Sequence, residues 1–66
     1  MKNRIQELRK QNKIRQEDLA EAVGVTRHTL SSLENGKYNA SLILAHKIAR
    51  HFSCSIEDVF LFDEEE

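Results

Sequence analysis

Twenty residues with one glycine in their middle constrain this chain more than anything else in it. From Gln16 to Asn35 it reads Q-E-D-L-A-E-A-V-G-V-T-R-H-T-L-S-S-L-E-N. Apolar residues fall at Leu19, Ala20 and Val23 before Gly24, and at Leu30 and Leu33 after it, which is helical spacing on both sides. Gly24 stands where one short helix must stop and reverse. A residue just past a helix end often needs positive φ, which glycine reaches without steric cost. Val25 plugs the angle between the helices. Thr26 is a good N-cap because its hydroxyl can accept an unpaired backbone N–H.

The remaining chain is read around that unit. Its 66 residues form a single domain, 1–66, and ordering each costs roughly 1.5 kcal/mol, so pairing with a second copy would help so small a core. Two glycines and no proline leave few breakers, and the fold class expected is all-α. The first helix is expected over about Asn3 to Gln11, with Ile5 and Leu8 inward and Arg9 at the edge of the buried face. Asn12 and Lys13 connect it to the second helix, with Ile14 anchoring that helix from outside. Arg15 is a poor N-cap, where Ser or Thr would be worth ~1 kcal/mol more. Glu17 and Asp18 offset this through the helix dipole. For Arg15 itself, phosphate contact and plain surface exposure both stand open.

The third helix is expected over about Thr26 to Asn35, closed by Gly36, with Lys37, Tyr38 and Asn39 in the loop that follows. Asn39 is expected to cap a fourth helix that buries Leu42, Ala45, Ile48, Ala49 and Phe52. Ser55-Ile56-Glu57-Asp58 is a capping-box-like start for a short fifth helix burying Ile56 and Val59. Phe60-Leu61-Phe62 is too apolar for a loose tail. It is a candidate short C-terminal strand against Met1–Asn3.

Two short helices about a tight glycine turn, here residues 16–35, make a helix-turn-helix, which places its second helix in the DNA major groove. The net charge of −1 looks wrong for a DNA binder until it is split by position. Residues 1–56 carry ten Lys/Arg against five acids, and residues 57–66 carry six acids and no base. A basic body with an acidic end, including the tail 63–66, suits nucleic acid provided that the end points away from phosphate. Arg27 and His28 lie opposite Leu30 and Leu33, so burial does not explain them. Arginine can give two hydrogen bonds to a guanine, whereas histidine lacks that fork.

With these residues placed, the chain resembles the short stand-alone Cro/CI-type (XRE-family) helix-turn-helix regulators over about Ile5 to Phe60. The resemblance rests on Gln16-x-x-Leu19-Ala20-x-x-x-Gly24-Val25-Thr26, on Leu30-Ser31-x-Leu33-Glu34-Asn35-Gly36, and on Ile48-Ala49. It implies a compact five-helix domain that docks as a homodimer on a palindromic operator, most simply as a repressor. It also implies base reading by Arg27, His28 and Ser32, with Thr26 and Thr29 near phosphates or thymine methyls. Gln16, Asn35, Lys37 and Tyr38 then grip phosphate, with Gln16 also bracing the recognition helix. Arg9 and Glu34 match a partly buried pair tying the first helix to the third. Arg15 replaces the usual Ser/Thr cap and Ala40 a common proline.

The expected partners are double-stranded DNA and a second copy, with no membrane, no small-molecule ligand, no cofactor and no metal. No apolar run exceeds four residues, which is too short for a membrane span or signal-peptide core. A single cysteine, Cys54, suits a reducing cytoplasm and reads as core filler. His46 and His51 are five apart and His28 belongs to another helix, so no ligand spacing fits. No nucleophile–base pair or phosphate-cradling glycine loop suggests an enzyme. A dimerisation segment is expected at about 56–62, with Val59, Phe60, Leu61 and Phe62 joined by Ile43 or Leu44, because so much apolar surface exceeds what a small monomer exposes. The competing class is a protein-interaction module, such as an antitoxin or co-regulator docking through its acidic tail. A toxin-neutralising member usually carries extra sequence past the fifth helix, and with only a few residues there the pure regulator is the class expected.

Overall fold

Gly24 adopts the left-handed conformation, φ +80°, and the Val25 N–H donates back to the Ala20 carbonyl at 3.0 Å, closing the helix before it. The computed structural model describes residues 1–62. The helices are α1 Ile5–Gln11, α2 Gln16–Val23, α3 Arg27–Glu34, α4 Leu42–His51 and α5 Ile56–Val59. The acidic tail expected at 63–66 lies outside the described residues. Thr26 is extended and its Oγ1 accepts from the Thr29 N–H at 3.1 Å, so α3 starts on the cap its sequence provides. Ser55 and Asp58 form a reciprocal capping box on α5. The Ser55 backbone N–H, which donates to Asp58 Oδ2 at 3.1 Å, is the main cause that holds the Asp58 carboxyl below the usual carboxylate range, and the Ser55 side chain adds to it. A lowered folded-state pKa means this stabilisation is present at neutral pH and lost as pH falls through that lowered value.

Ile5 and Leu8 of α1, Leu19, Ala20 and Val23 of α2, and Leu30 and Leu33 of α3 are buried together. Leu44, Ala45, Ile48 and Ala49 of α4, with Val59 and Phe60, complete the core. Ile14, Val25, Phe52, Cys54 and Ile56 pack half-buried at its edge. Among the described residues no helix is long and apolar enough to cross a membrane.

Three expectations are corrected. Ser41, not Asn39, caps α4, its Oγ accepting from the Leu44 N–H at 3.1 Å. The buried stripe of α4 begins at Leu44, and Leu42 is 77% exposed. At 100° per residue, Leu42 lies about 90° and Ile43 about 170° from the centre of the stripe formed by residues 44, 45, 48, 49 and 52, so neither faces the core. Finally, α1 begins at Ile5, because Asn3 pairs with Phe60 in an isolated antiparallel bridge. The Arg4 N–H donates to the Val59 carbonyl at 2.7 Å and the Leu61 N–H to the Lys2 carbonyl at 2.9 Å. The short C-terminal strand is thus one bridge.

A Cβ built on Gly24 meets nothing within 4 Å, so only its backbone conformation demands glycine. Gly24→Ala is expected to lower unfolding free energy by about 1–2 kcal/mol, the cost of holding an L-residue in this conformation. Urea denaturation should show a lower midpoint with an unchanged slope.

Candidate nucleic-acid interface

Three helices meet at the side chain of Glu34, at the C-terminal end of α3. Its Oε2 accepts from Arg9 Nε at 2.9 Å, and its Oε1 accepts from Arg9 Nη2 at 3.3 Å and from Gln16 Nε2 at 3.1 Å. The Arg9 and Glu34 side chains are 12% and 4% exposed. Arg9 Nη1 also donates to the Ile14 carbonyl at 3.1 Å, tying down the α1–α2 connection. Gln16 continues the chain outward, its Oε1 accepting from Arg27 Nε at 3.3 Å. A carboxylate only accepts and a guanidinium only donates, so the amide between them has one workable orientation. The relay therefore runs Arg9, Glu34, Gln16, Arg27, from the interior to the surface.

Among the described residues, Arg27 spends only its Nε on Gln16. Its two terminal nitrogens remain to form the planar fork that matches guanine or phosphate. Thr26, Arg27 and His28 are exposed at the start of α3, and Thr29 and Ser32 are half-buried. Thr26 Oγ1 donates to Thr29 Oγ1 at 3.0 Å. Past α3, Gly36 takes φ +76° and the Lys37 N–H donates to the Ser32 carbonyl at 3.0 Å. Asn35, Lys37 and Tyr38 are exposed there. Arg15 does not join the relay. It lies 73% exposed and holds Asp18 at 2.9 Å and Glu17 at 3.2 Å. The hydrogen bond to Asp18 and the charges of Asp18 and Glu17 raise its pKa still further.

A family profile described as helix-turn-helix, HTH_3, matches residues 5–59. The chain belongs to the helix-turn-helix transcriptional regulators. An uncharacterised HTH-type transcriptional regulator of Archaeoglobus fulgidus is 58% identical over 66 residues, covering 100% of this chain and 93% of that one. The HTH-type transcriptional regulator YgzD of Bacillus subtilis is 51% identical over 65 residues, covering 98% of each. The restriction-modification controller protein C.AhdI from Aeromonas hydrophila shares the fold at TM-score 0.78 and 32% identity, over 86% of both chains. The clp gene regulator ClgR from Corynebacterium glutamicum aligns at TM-score 0.76 and 28% identity, over 82% of this chain and 57% of its own. These similarities agree with the Cro/CI-type architecture expected from the helix-turn-helix residues.

In this helix-turn-helix regulator, the residues expected at a dimer interface differ in exposure. Val59, Phe60 and Leu44 are 0%, 3% and 7% exposed in the single chain and belong to its own core. Their burial follows from the α4 rotation and the Asn3–Phe60 bridge. Ile43 and Phe62 do stay exposed, Leu61 is half-buried, and Leu42 joins the outer set. The sequence reading missed Leu42 and Asn3. The Ser41 hydroxyl directly before Leu-Ile-Leu was the available signal for the first, since it sets where the helix starts.

Glu34→Ala strands the Arg9 guanidinium, which is nearly out of solvent. The expected loss is about 3 kcal/mol of unfolding free energy, as for other broken buried pairs. Urea denaturation measures it, and a loss below about 1 kcal/mol would show that the pair is replaceable by water.

Proposed function

We propose that this helix-turn-helix regulator is a sequence-specific repressor that binds a palindromic DNA operator as a homodimer, with α3 in the major groove. The observation that carries the reading is the outer face of α3. Arg27 stands exposed at its N-terminal end and is oriented through Gln16 by a buried ion pair. A side chain held in one direction suits base reading, because discrimination requires fixed geometry. Arg27, His28 and Ser32 are the proposed base readers, with Thr26 beside them. Gln16, Thr29, Asn35, Lys37 and Tyr38 face phosphate, and Arg15 can do so by letting go of Asp18.

The dimer face is proposed at Leu42, Ile43 and Phe62. Leu42 and Phe62 border an apolar groove of about 230 Å³ that Ala45, Ile56 and Phe60 also line. Large apolar side chains clustered outside so small a core fit an interface. Two-fold pairing would put half-sites about one helical turn, ~10 bp, apart.

Selection of bound fragments from a random DNA pool at physiological salt tests the reading. A palindrome with half-sites near that spacing is expected. General, salt-sensitive binding without enrichment would contradict sequence reading and favour a protein-interaction module. Arg27→Ala should cost about 1–3 kcal/mol on the selected site and relax its preference, while Lys37→Ala should weaken all sequences alike and lower the salt slope by about one. For the dimer, Leu42→Glu combined with Ile43→Glu should leave folded monomers by sedimentation equilibrium. An unchanged dimer would place the interface elsewhere.

A further inference from the structure

Asn3 enters neither the core nor the expected DNA face, yet it bonds on three sides. Its Nδ2 donates to the Leu33 carbonyl at 2.9 Å and more distantly to the Met1 carbonyl at 3.4 Å. Its Oδ1 accepts from the Ile5 N–H at 3.1 Å, supplying a partner to the open start of α1. Its backbone bridges to Phe60, which is buried, and the flanking Arg4 and Lys2 bond to Val59 and Leu61. Asn3 is thus immobilised from behind while its amide reaches α3.

The carbonyl it reaches is not an arbitrary one. Leu33 lies in the last turn of α3, where carbonyls lack the next helical N–H. The same oxygen accepts from the Gly36 N–H at 3.1 Å, and the neighbouring Ser32 carbonyl accepts from Lys37. These bonds set the direction in which the chain leaves α3, and therefore where the Lys37 side chain begins. We propose that Asn3 is a positioning residue for DNA binding, holding the Leu33 carbonyl so that the loop carrying Lys37 meets phosphate. This inference rests on the DNA-binding reading above. In this role Asn3 acts through the loop and not by contact with nucleic acid.

Asn3→Asp separates the two roles of the side chain. The carboxylate keeps an acceptor for the Ile5 N–H but loses the donor and sets a second acceptor against the Leu33 carbonyl. Two measurements follow on the full chain. Amide hydrogen exchange should run about tenfold faster at Gly36 and Lys37 in Asn3→Asp, with Ile48 in the core unchanged. The dissociation constant for duplex DNA should rise about three- to tenfold, the range of one net hydrogen bond. Adding Lys37→Ala to Asn3→Asp should then cost little, because its contact is already misplaced. Unchanged exchange at Gly36 and Lys37 would overturn the proposal, and so would losses from Asn3→Asp and Lys37→Ala that add in full. If the wild-type chain binds no duplex, the DNA reading fails, and the exchange rates still decide whether Asn3 holds the loop.

Discussion

The carboxylate of Glu34 is the point on which this small structure turns. A nearly buried charge is tolerated only when paired and hydrogen-bonded, and Glu34 meets that condition with three bonds from two side chains. Arg9 approaches from α1 and Gln16 from α2, so the three helices cannot shift independently without leaving a charge unsatisfied. Hydrophobic contacts alone would permit small rotations of α3 at little cost. The polar relay is directional and does not. It carries the constraint from the interior to Arg27 on the surface.

The same economy explains the division of α4. A chain of 66 residues has room for one core, and the rotation set by the Ser41 cap gives that core Leu44, Ala45, Ile48 and Ala49. Leu42 and Ile43 are left outside, 77% and 70% exposed. The apolar surface that sequence reading located in the final segment lies instead largely at the start of α4. Val59 and Phe60 are consumed internally, through the bridge that ties the N-terminal residues to the last turn.

How legible the molecule was in its sequence depended on whether one residue or several decided each feature. Gly24, Thr26 and Ser55 act through local backbone needs, so the turn, the cap of α3 and the box on α5 could be read directly. The Arg9–Glu34 pair came from resemblance, because a contact across 25 residues has no local signature. The facing of α4 was missed because Leu42 and Leu44 are chemically alike, and only the starting point of the helix distinguishes them. Asn3 was placed within α1, since nothing in a three-residue terminus announces a partner 30 residues away. At the candidate interface, Arg27 was read by exclusion from the apolar pattern, whereas Lys37 came from resemblance. The link from Gln16 to Arg27 needed coordinates.

The most direct test is a nuclear magnetic resonance titration of the assigned chain with a short DNA duplex. The largest amide shifts are expected at residues 26–32 and 35–38, with Gln16 moving alongside them, while those of Leu42 and Ile43 stay small. Shifts centred on Leu42, Ile43 and Phe62 with α3 unmoved would contradict this expectation, because the face aimed by Glu34 would not be the one that meets DNA.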